Sequence, residues 1–397
     1  MALMISLAAC GGFPAAESSV SNASPANVTP DRFYYAPNVR RACAAAQAPD
    51  EMTCLALVRT DIPAKKRGST PAGYGPSDLQ SAYNLPSATA GSGQTVAVVD
   101  AFDNPSEESD LAVYRSTYGL PPCGSSDSCF QKVNEEGQAY DFPPPDDSWG
   151  LEESLDVDMV SAICPNCHIV LVEANTSHTN DLGKSVNTAV DIMHANVISN
   201  SYIRYNVHGK MGRMFYEHRG VIITAAAGDE GYKIGEPAGF NTVVSVGGTA
   251  LTRTTTGRKW TEAVWGGTGS GCVVTRLKPA WQNNHACKYR AMNDVAAVAA
   301  PYTGVAYYDT YNYGGWGVAG GTSTATPIIA SIYALAGNAA KLNAAESLYA
   351  KGASLYDVTS GQNGTKCATH HHPLLCAAAP GWDGPTGNGT PNGISAF

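Results

Sequence analysis

Residues 93–103 read GQTVAVVDAFD, an apolar, β-branched run opened by a glycine and closed by polar residues. Such a run is the pattern of a buried strand passing into a loop. The next segment, PSEESDLAVYRSTYG at 105–119, starts acidic and reads as a helix. The alternation then repeats. CHIVLVEA (167–174) is a strand and DLGKSVNTAVDIMHAN (181–196) a helix, while VISNSY (197–202), GVIITAAAGD (220–229) and TVVSVGGTAL (242–251) are further strands bounded by Gly or polar turns. Strands alternating with helices predict an α/β, doubly wound, mostly parallel sheet with helices on both faces. Residues that do chemistry are then expected at the carboxyl ends of those strands.

The chain has 397 residues, 44% of them apolar, which suffices for one large domain with an N-terminal extension. With 34 acidic against 25 basic residues its formal charge is −9, and no basic run exceeds the KKR at Lys65–Arg67. Nucleic acid is therefore not an expected partner. No stretch approaches the roughly eighteen consecutive apolar residues of a membrane-spanning helix. At the start, MALMISLAACGG ends in Leu7-Ala8-Ala9-Cys10. That resembles a bacterial lipoprotein signal, so 1–10 reads as a partial signal, with a lipid on Cys10 as the one expected membrane link. The Ser/Pro/Ala-rich tract 11–30 reads as a flexible linker and 31–71 as a short pro-segment-like extension.

Eleven cysteines leave ten once Cys10 is set aside, and these fall into five local pairs: Cys43/Cys54, Cys123/Cys129, Cys164/Cys167, Cys272/Cys287 and Cys367/Cys376. Five local disulfides imply an oxidising, extracytoplasmic compartment. A redox role for Cys164-Pro165-Asn166-Cys167 is disfavoured, because the motif lies between a helix and a strand rather than opening a helix. His370–His372 read as an exposed loop, since three adjacent histidines cannot easily face one ion.

Two stretches carry chemistry. In GGWGVAGGTSTATPIIASIYALAGNAA (314–340), Ser323 follows two glycines and precedes a long apolar helix. Close backbone approach and a helix amino terminus are what a serine nucleophile needs, although a Gly-rich turn with a capping serine has the same pattern. In WGLEESLDVD (149–158), four of the last seven residues are carboxylates. Glu152 and Asp156 are four apart and share one helix face, Glu153 points about 100° away, and Asp158 is expected to face solvent. A wholly solvated acidic face is the alternative.

Gly320-Gly321-Thr322-Ser323-Thr324-Ala325-Thr326-Pro327 resembles the nucleophile motif of subtilisin-type serine peptidases. Asp100, in VAVVDAFD, stands where a subtilisin has its Asp, but no His lies in an H-G-T motif. The 149–158 segment is instead similar to the signature of the sedolisins, or serine-carboxyl peptidases, in which a Glu and an Asp four residues on replace that His. The resemblance implies a subtilisin-like fold for residues 72–397, Glu152 as general base for Ser323, and Asp156 as its support. ITAAAGDEGY (223–232) resembles the oxyanion loop, placing Asp229 there. A neutral carboxylic acid can donate to an oxyanion, so an acidic working pH is implied.

The C-terminal segment SLYDVTSGQNGTKCATHHHPLLCAAAPGWDGPTGNGTPNG (354–393) resembles the family's calcium loop. For one structural calcium ion it implies carboxylate ligands from Asp357 and Asp383 and carbonyl ligands from Val358, Ala379 and Gly381. The expectation is an exported, acid-active, monomeric endopeptidase acting on polypeptides, secreted or lipid-anchored at the cell envelope. Two alternatives stay open: a subtilisin-like peptidase using Asp100 and an unrecognised His, or a non-catalytic surface-anchored binding protein on the same fold.

Overall fold

A computed structural model describes residues 37–205, 212–311, 313–364 and 372–397. The segments 1–10 and 11–30, including Cys10, lie outside the described residues, as do the start of the 31–71 extension and Cys367, His370 and His371. The strand read first from the sequence, Thr95–Ala101, occupies the middle of the main sheet, with His168–Ala174 and Val197–Asn200 parallel on either side. Phe130–Asn134 continues the sheet one way. Ile222–Ala226, Val244–Arg253 and Val295–Val298 continue it the other way, still parallel, and Trp260–Val264 closes it antiparallel.

The strand alternation dictates two cores. Val96 and Val98 pack with the helices Asp147–Ile163 and Thr322–Ala336, whereas Ala97, Val99 and Ala101 pack with Leu182, Val186 and Ala189 of the helix Thr179–Asp191. Helices thus cover both faces of a subtilisin-like sheet. The last of these helices is shorter than the sequence suggested. His194 adopts a φ of +54°, a conformation that a right-handed helix does not contain. Among the described residues no helix is long and apolar enough to cross a membrane.

The extension does not stand apart from the domain. Val39–Arg41 pairs antiparallel with Leu57–Arg59, which pairs with Gly315–Gly320, the strand leading into the Ser323 helix. Val305–Asp309 completes this second sheet. Val58 is fully buried and faces Ala319. Four of the expected disulfides are formed: Cys43–Cys54, Cys123–Cys129, Cys164–Cys167 and Cys272–Cys287.

Since burying a valine contributes about 1.5–3 kcal/mol, Val58→Ala is expected to cost that amount through loss of contacts and a residual cavity. Chemical denaturation of the full chain measures it; an unchanged midpoint would mean that this strand lies free of the domain.

Candidate active site

Helix Asp147–Ile163 begins where the Asp146 side chain accepts from the Ser148 and Trp149 amides at 2.9 and 3.0 Å. Such capping satisfies amides that have no partner within the helix. From Trp149 onward the helix is buried all round, between the main sheet and the second one. The four carboxylates of that stretch, Glu152, Glu153, Asp156 and Asp158, therefore have no solvent face. Glu153 is buried, and Asp158, expected at the surface, is 1% exposed. The Asp158 carboxylate accepts from the Tyr308 amide at 2.8 Å, so the second sheet occupies the space that solvent was expected to fill.

Glu152 and Asp156 share a face, as their spacing requires, and that face meets the start of the Ser323 helix. Ser201, just beyond the strand Val197–Asn200, connects them. Its hydroxyl donates to Asp156 Oδ2 at 2.6 Å, and its carbonyl accepts from Ser323 Oγ at 3.2 Å. The same hydroxyl lies 3.4 Å from the Ser323 carbonyl. Pro327, four residues into that helix from Ser323, has no N–H to offer this carbonyl, which leaves it free for Ser201. The Ser323 hydroxyl also lies close enough to Glu152 to favour the ionised carboxylate, although Glu152 Oε1 makes no oriented hydrogen bond.

Asp229 follows the strand Ile222–Ala226. Its Oδ1 accepts from the Thr322 amide at 2.9 Å and the Thr322 hydroxyl at 2.8 Å, and its own amide donates to Tyr205 Oη at 2.9 Å. Asp229 Oδ2 has no hydrogen-bond partner and lies against Gly321. Gly321 has a φ of +98°, and a Cβ there would come within 2.8 Å of that oxygen. Glycine is therefore required twice over, for backbone conformation and for space.

Burial dominates the electrostatics. It pushes Glu152 up to about 8, against the nearby Ser323 hydroxyl and the hydrogen bonds from the Ala56 and Leu55 amides, with the charge of Asp229 raising it further. Asp229 is pushed up to about 7 by burial, against the two Thr322 hydrogen bonds. Asp156 is raised well above the usual carboxylate range by burial and then by Glu152. Glu230 does not bear on Asp229 as a bare charge. Burial opposes its ionisation, but Lys233 and Arg41, at 2.6 and 3.2 Å, outweigh that and keep it low.

Asp100 ends the central strand, but both of its oxygens lack hydrogen-bond partners, and among the described residues no histidine hydrogen-bonds to it or to Ser323. The geometry thus assembles Ser323, Glu152, Asp156 and Asp229, and it adds Ser201 and Thr322, which the sequence reading missed. Ser201 had a faint signal, a polar S-N-S interrupting an otherwise apolar strand run.

Near the C-terminus, Asp357 Oδ2 accepts from the Gly381 amide at 3.0 Å, and Asp383 Oδ2 from the Ala379 amide at 3.1 Å. Asp383 Oδ1 accepts from the Thr386 amide and hydroxyl at 2.8 and 2.9 Å. One loop thus brings Asp357, Ala379, Gly381 and Asp383 together. Val358 follows Asp357 and is buried.

A serine at a helix start, facing a Glu/Asp pair and an aspartate packed against a glycine, on this sheet, defines a subtilisin-type site. A sequence model of the subtilase family matches residues 145–352, more than half of the chain, and the chain belongs to that family. Over 376 residues it is 28% identical to kumamolisin from Bacillus sp. (strain MN-32), covering 84% of this chain and 65% of that protein. It is 26% identical over 363 residues to sedolisin from Pseudomonas sp. (strain 101), covering 81% and 60%. The chain thus spans less than two thirds of the length of these curated relatives. A solved structure of Pseudomonas sedolisin, a serine-carboxyl proteinase complexed with two molecules of pseudo-iodotyrostatin, superposes with a TM-score of 0.69 at 25% identity, covering 82% of this chain and 96% of that one. Sphericase, at 18% identity and a TM-score of 0.52, shares the fold.

The buried carboxyls fix a pH dependence of stability. Burial first, and then neighbouring carboxylates, raise Asp100 and Glu153; Glu107 is pushed up to about 8 and Glu173 to about 9, burial again being the largest cause. Groups with raised pKa values hold their protons longer in the folded state than in the unfolded one. Their contribution is therefore complete below the unfolded carboxyl pKa, about 4, and is lost as pH climbs through about 7 to 9. Melting temperature is expected to be highest near pH 4–5 and to fall steadily toward pH 9. A melting curve that rises between pH 5 and 8 would contradict the protonated state of this cluster.

Proposed function

We propose that the chain is an exported, acid-active serine-type endopeptidase of the serine-carboxyl kind. The observation that supports this best is the convergence, at one buried point, of Ser323, Glu152, Asp156 and Asp229. Glu152 takes the proton from Ser323 as Oγ attacks a peptide carbonyl carbon, and returns it to the departing amine nitrogen. Asp156, held by Ser201, fixes Glu152 by sharing charge and proton with it. Protonated Asp229 donates from Oδ2 to the oxyanion, while Thr322 fixes Oδ1. Water then cleaves the acyl-serine ester, with Glu152 again as base. Asp229 must keep its proton and Glu152 must lose its own. Opening the cleft to water lowers Glu152 from its buried value, and the two conditions then coexist only at acidic pH. The four disulfides support an oxidising compartment, in keeping with export.

Calcium fits the residues of the C-terminal loop. Asp357 and Asp383 both accept from the backbone of residues 379–381, and hard oxygen donors from these two carboxylates and the carbonyls of Val358, Ala379 and Gly381 are of the kind that calcium takes. A bound ion would supply charge compensation for the buried Asp383 and tie the loop to the domain.

Proteolysis of a denatured protein, followed from pH 2 to 8 after incubation in acid, tests the mechanism. Ser323→Ala and Glu152→Gln are expected to lose about a thousand-fold or more in kcat/KM, and Asp229→Asn to extend activity toward neutrality because an amide donates at any pH. Full activity in Glu152→Gln would sink the scheme. Ser201→Ala is expected to lower kcat by about ten-fold to a hundred-fold with little change in KM.

Chelation is expected to lower the melting temperature of the wild type by about 5 °C. In the Asp357→Asn/Asp383→Asn double variant it should have no effect. A chelator-insensitive wild type would remove calcium from this loop.

A further inference from the structure

Two strands stand outside both large sheets. Gly271–Leu277 and Tyr289–Met292 pair antiparallel in a sheet of their own, and the disulfide Cys272–Cys287 closes the loop between them. The register runs from Gly271 opposite Met292 to Val273 opposite Arg290 and then shifts, so that Leu277 stands opposite Tyr289 and Val274, Thr275 and Arg276 bulge from the pair. A bulge re-aims side chains, and this one divides them. Arg276 turns inward, where it donates to Glu236 at 2.8 Å and is 7% exposed. Val274 and Leu277 turn outward, 62% and 80% exposed.

The backbone that presents them is fixed. Val273, Cys287 and Ala291 are buried on the inner side of the hairpin, and the Asn241 side chain donates to the Leu277 carbonyl at 2.8 Å. A single exposed leucine is ordinary on a protein surface, so the charges around this pair decide its meaning. In a chain of formal charge −9, residues 263–293 contain no Asp or Glu. Lys278 follows Leu277 and Lys288 precedes the Tyr289 that stands opposite it, so two ammonium groups flank the same end of the hairpin. Among the described residues these lysines meet no carboxylate. Lys278 Nζ donates to the Asn284 carbonyl at 2.6 Å, and Lys288 Nζ lies 6.0 Å from the centre of the Tyr289 ring.

Apolar side chains as exposed as these stand proud of the surface, and a polypeptide partner would cover them only with a groove of its own. A bilayer interface needs no groove. Apolar tips sink below the headgroups while lysine stems lie along them and the ammonium groups reach the phosphates. The acidic pH proposed above narrows the choice further, because the carboxylates of an acidic polypeptide lose their charge there and phosphodiester headgroups keep theirs. We infer that the hairpin 271–292 docks the protein on an anionic phospholipid surface, with Val274 and Leu277 entering the interface and Lys278 and Lys288 binding headgroup phosphates. This is a membrane link separate from any lipid on Cys10. It needs no change of shape, since the disulfide and the Arg276–Glu236 pair already hold the bulge in place.

The test uses the full chain carrying Cys10→Ser, so that no acyl chain takes part, and measures co-sedimentation with vesicles of phosphatidylcholine alone or mixed with phosphatidylglycerol. Binding is expected to the mixed vesicles only and to weaken as salt is raised. Lys278→Gln/Lys288→Gln should lower the affinity about thirty-fold, and Val274→Ser/Leu277→Ser about ten-fold or more. Met214→Ser, which changes a side chain 75% exposed elsewhere on the surface, should leave it unchanged. Melting temperatures establish that each variant is folded; where a double variant is not, its two single substitutions replace it, each expected to weaken binding about three-fold to five-fold. No binding to the mixed vesicles, equal binding to neutral ones, or hairpin variants that bind like the parent would overturn the inference. So would competition by millimolar inorganic phosphate, which would make the lysines a site for the free anion, or tighter binding of a Glu-rich peptide than of vesicles. Peptide hydrolysis in solution is followed alongside. A protein that hydrolyses peptides but docks on no vesicle loses this inference and keeps the peptidase reading, and one that docks but hydrolyses nothing does the reverse.

Discussion

The interaction on which the rest depends is the burial of carboxyl groups without enough partners to ionise them all. A carboxylate moved out of water loses several kilocalories of hydration, and a second one nearby adds repulsion, so the cheaper course is to keep a proton. Helix Asp147–Ile163 places four such groups in the interior, and the strand ends at Asp100 and Glu173 add two more to the same region. A few neighbours set which of these can ionise. Lys132 lies beside Glu173 at 3.2 Å, Ser201 binds Asp156, Thr322 binds Asp229, and Tyr308 binds Asp158. The pair Glu152/Asp156 is thus one part of a larger acidic interior whose protonation belongs to the fold.

A division of labour results among residues that look alike in sequence. Glu152 and Glu153 are neighbours of the same type, yet one meets Ser323 and two backbone amides while the other faces Asp100 and Glu173. Asp229 differs from both, since one oxygen is held by Thr322 and the other is left open toward Gly321. A carboxylic acid fixed at one oxygen and free at the other is a directional donor, and the direction comes from the helix start that also carries Ser323.

Much of this was legible in the sequence, for reasons that can be located. The sheet was legible because its strands are buried on both faces and read as continuous apolar runs, and the pair Glu152/Asp156 because helical spacing is local. Ser323 was marked by the glycines and the apolar helix around it. Asp158 was misplaced because the sheet that buries it includes Val305–Asp309, some 150 positions away, and nothing within the helix announces that neighbour. Ser201 and Thr322 escaped notice because a hydroxyl gains its role only from what stands opposite. The extension proved least readable. Residues 37–59 carry no strong period, and their place in the second sheet and over Glu152 rests on pairings with residues 96 to about 260 positions distant.

Thr53 and Cys54 pair with Ile203 and Tyr202, and the Leu55 and Ala56 amides donate to Glu152, so residues 51–56 lie over the site, with a consequence for anything that would approach it. A segment joined to the domain on both sides competes with outside polypeptides at an effective concentration on the order of millimolar, set by the short connections that tether it. Entry is then governed by how often residues 51–56 lift away, a local opening whose free energy comes from two strand pairings, one leucine pocket and one disulfide loop. Strengthening any of these would keep Glu152 and Ser323 covered for longer without altering either residue.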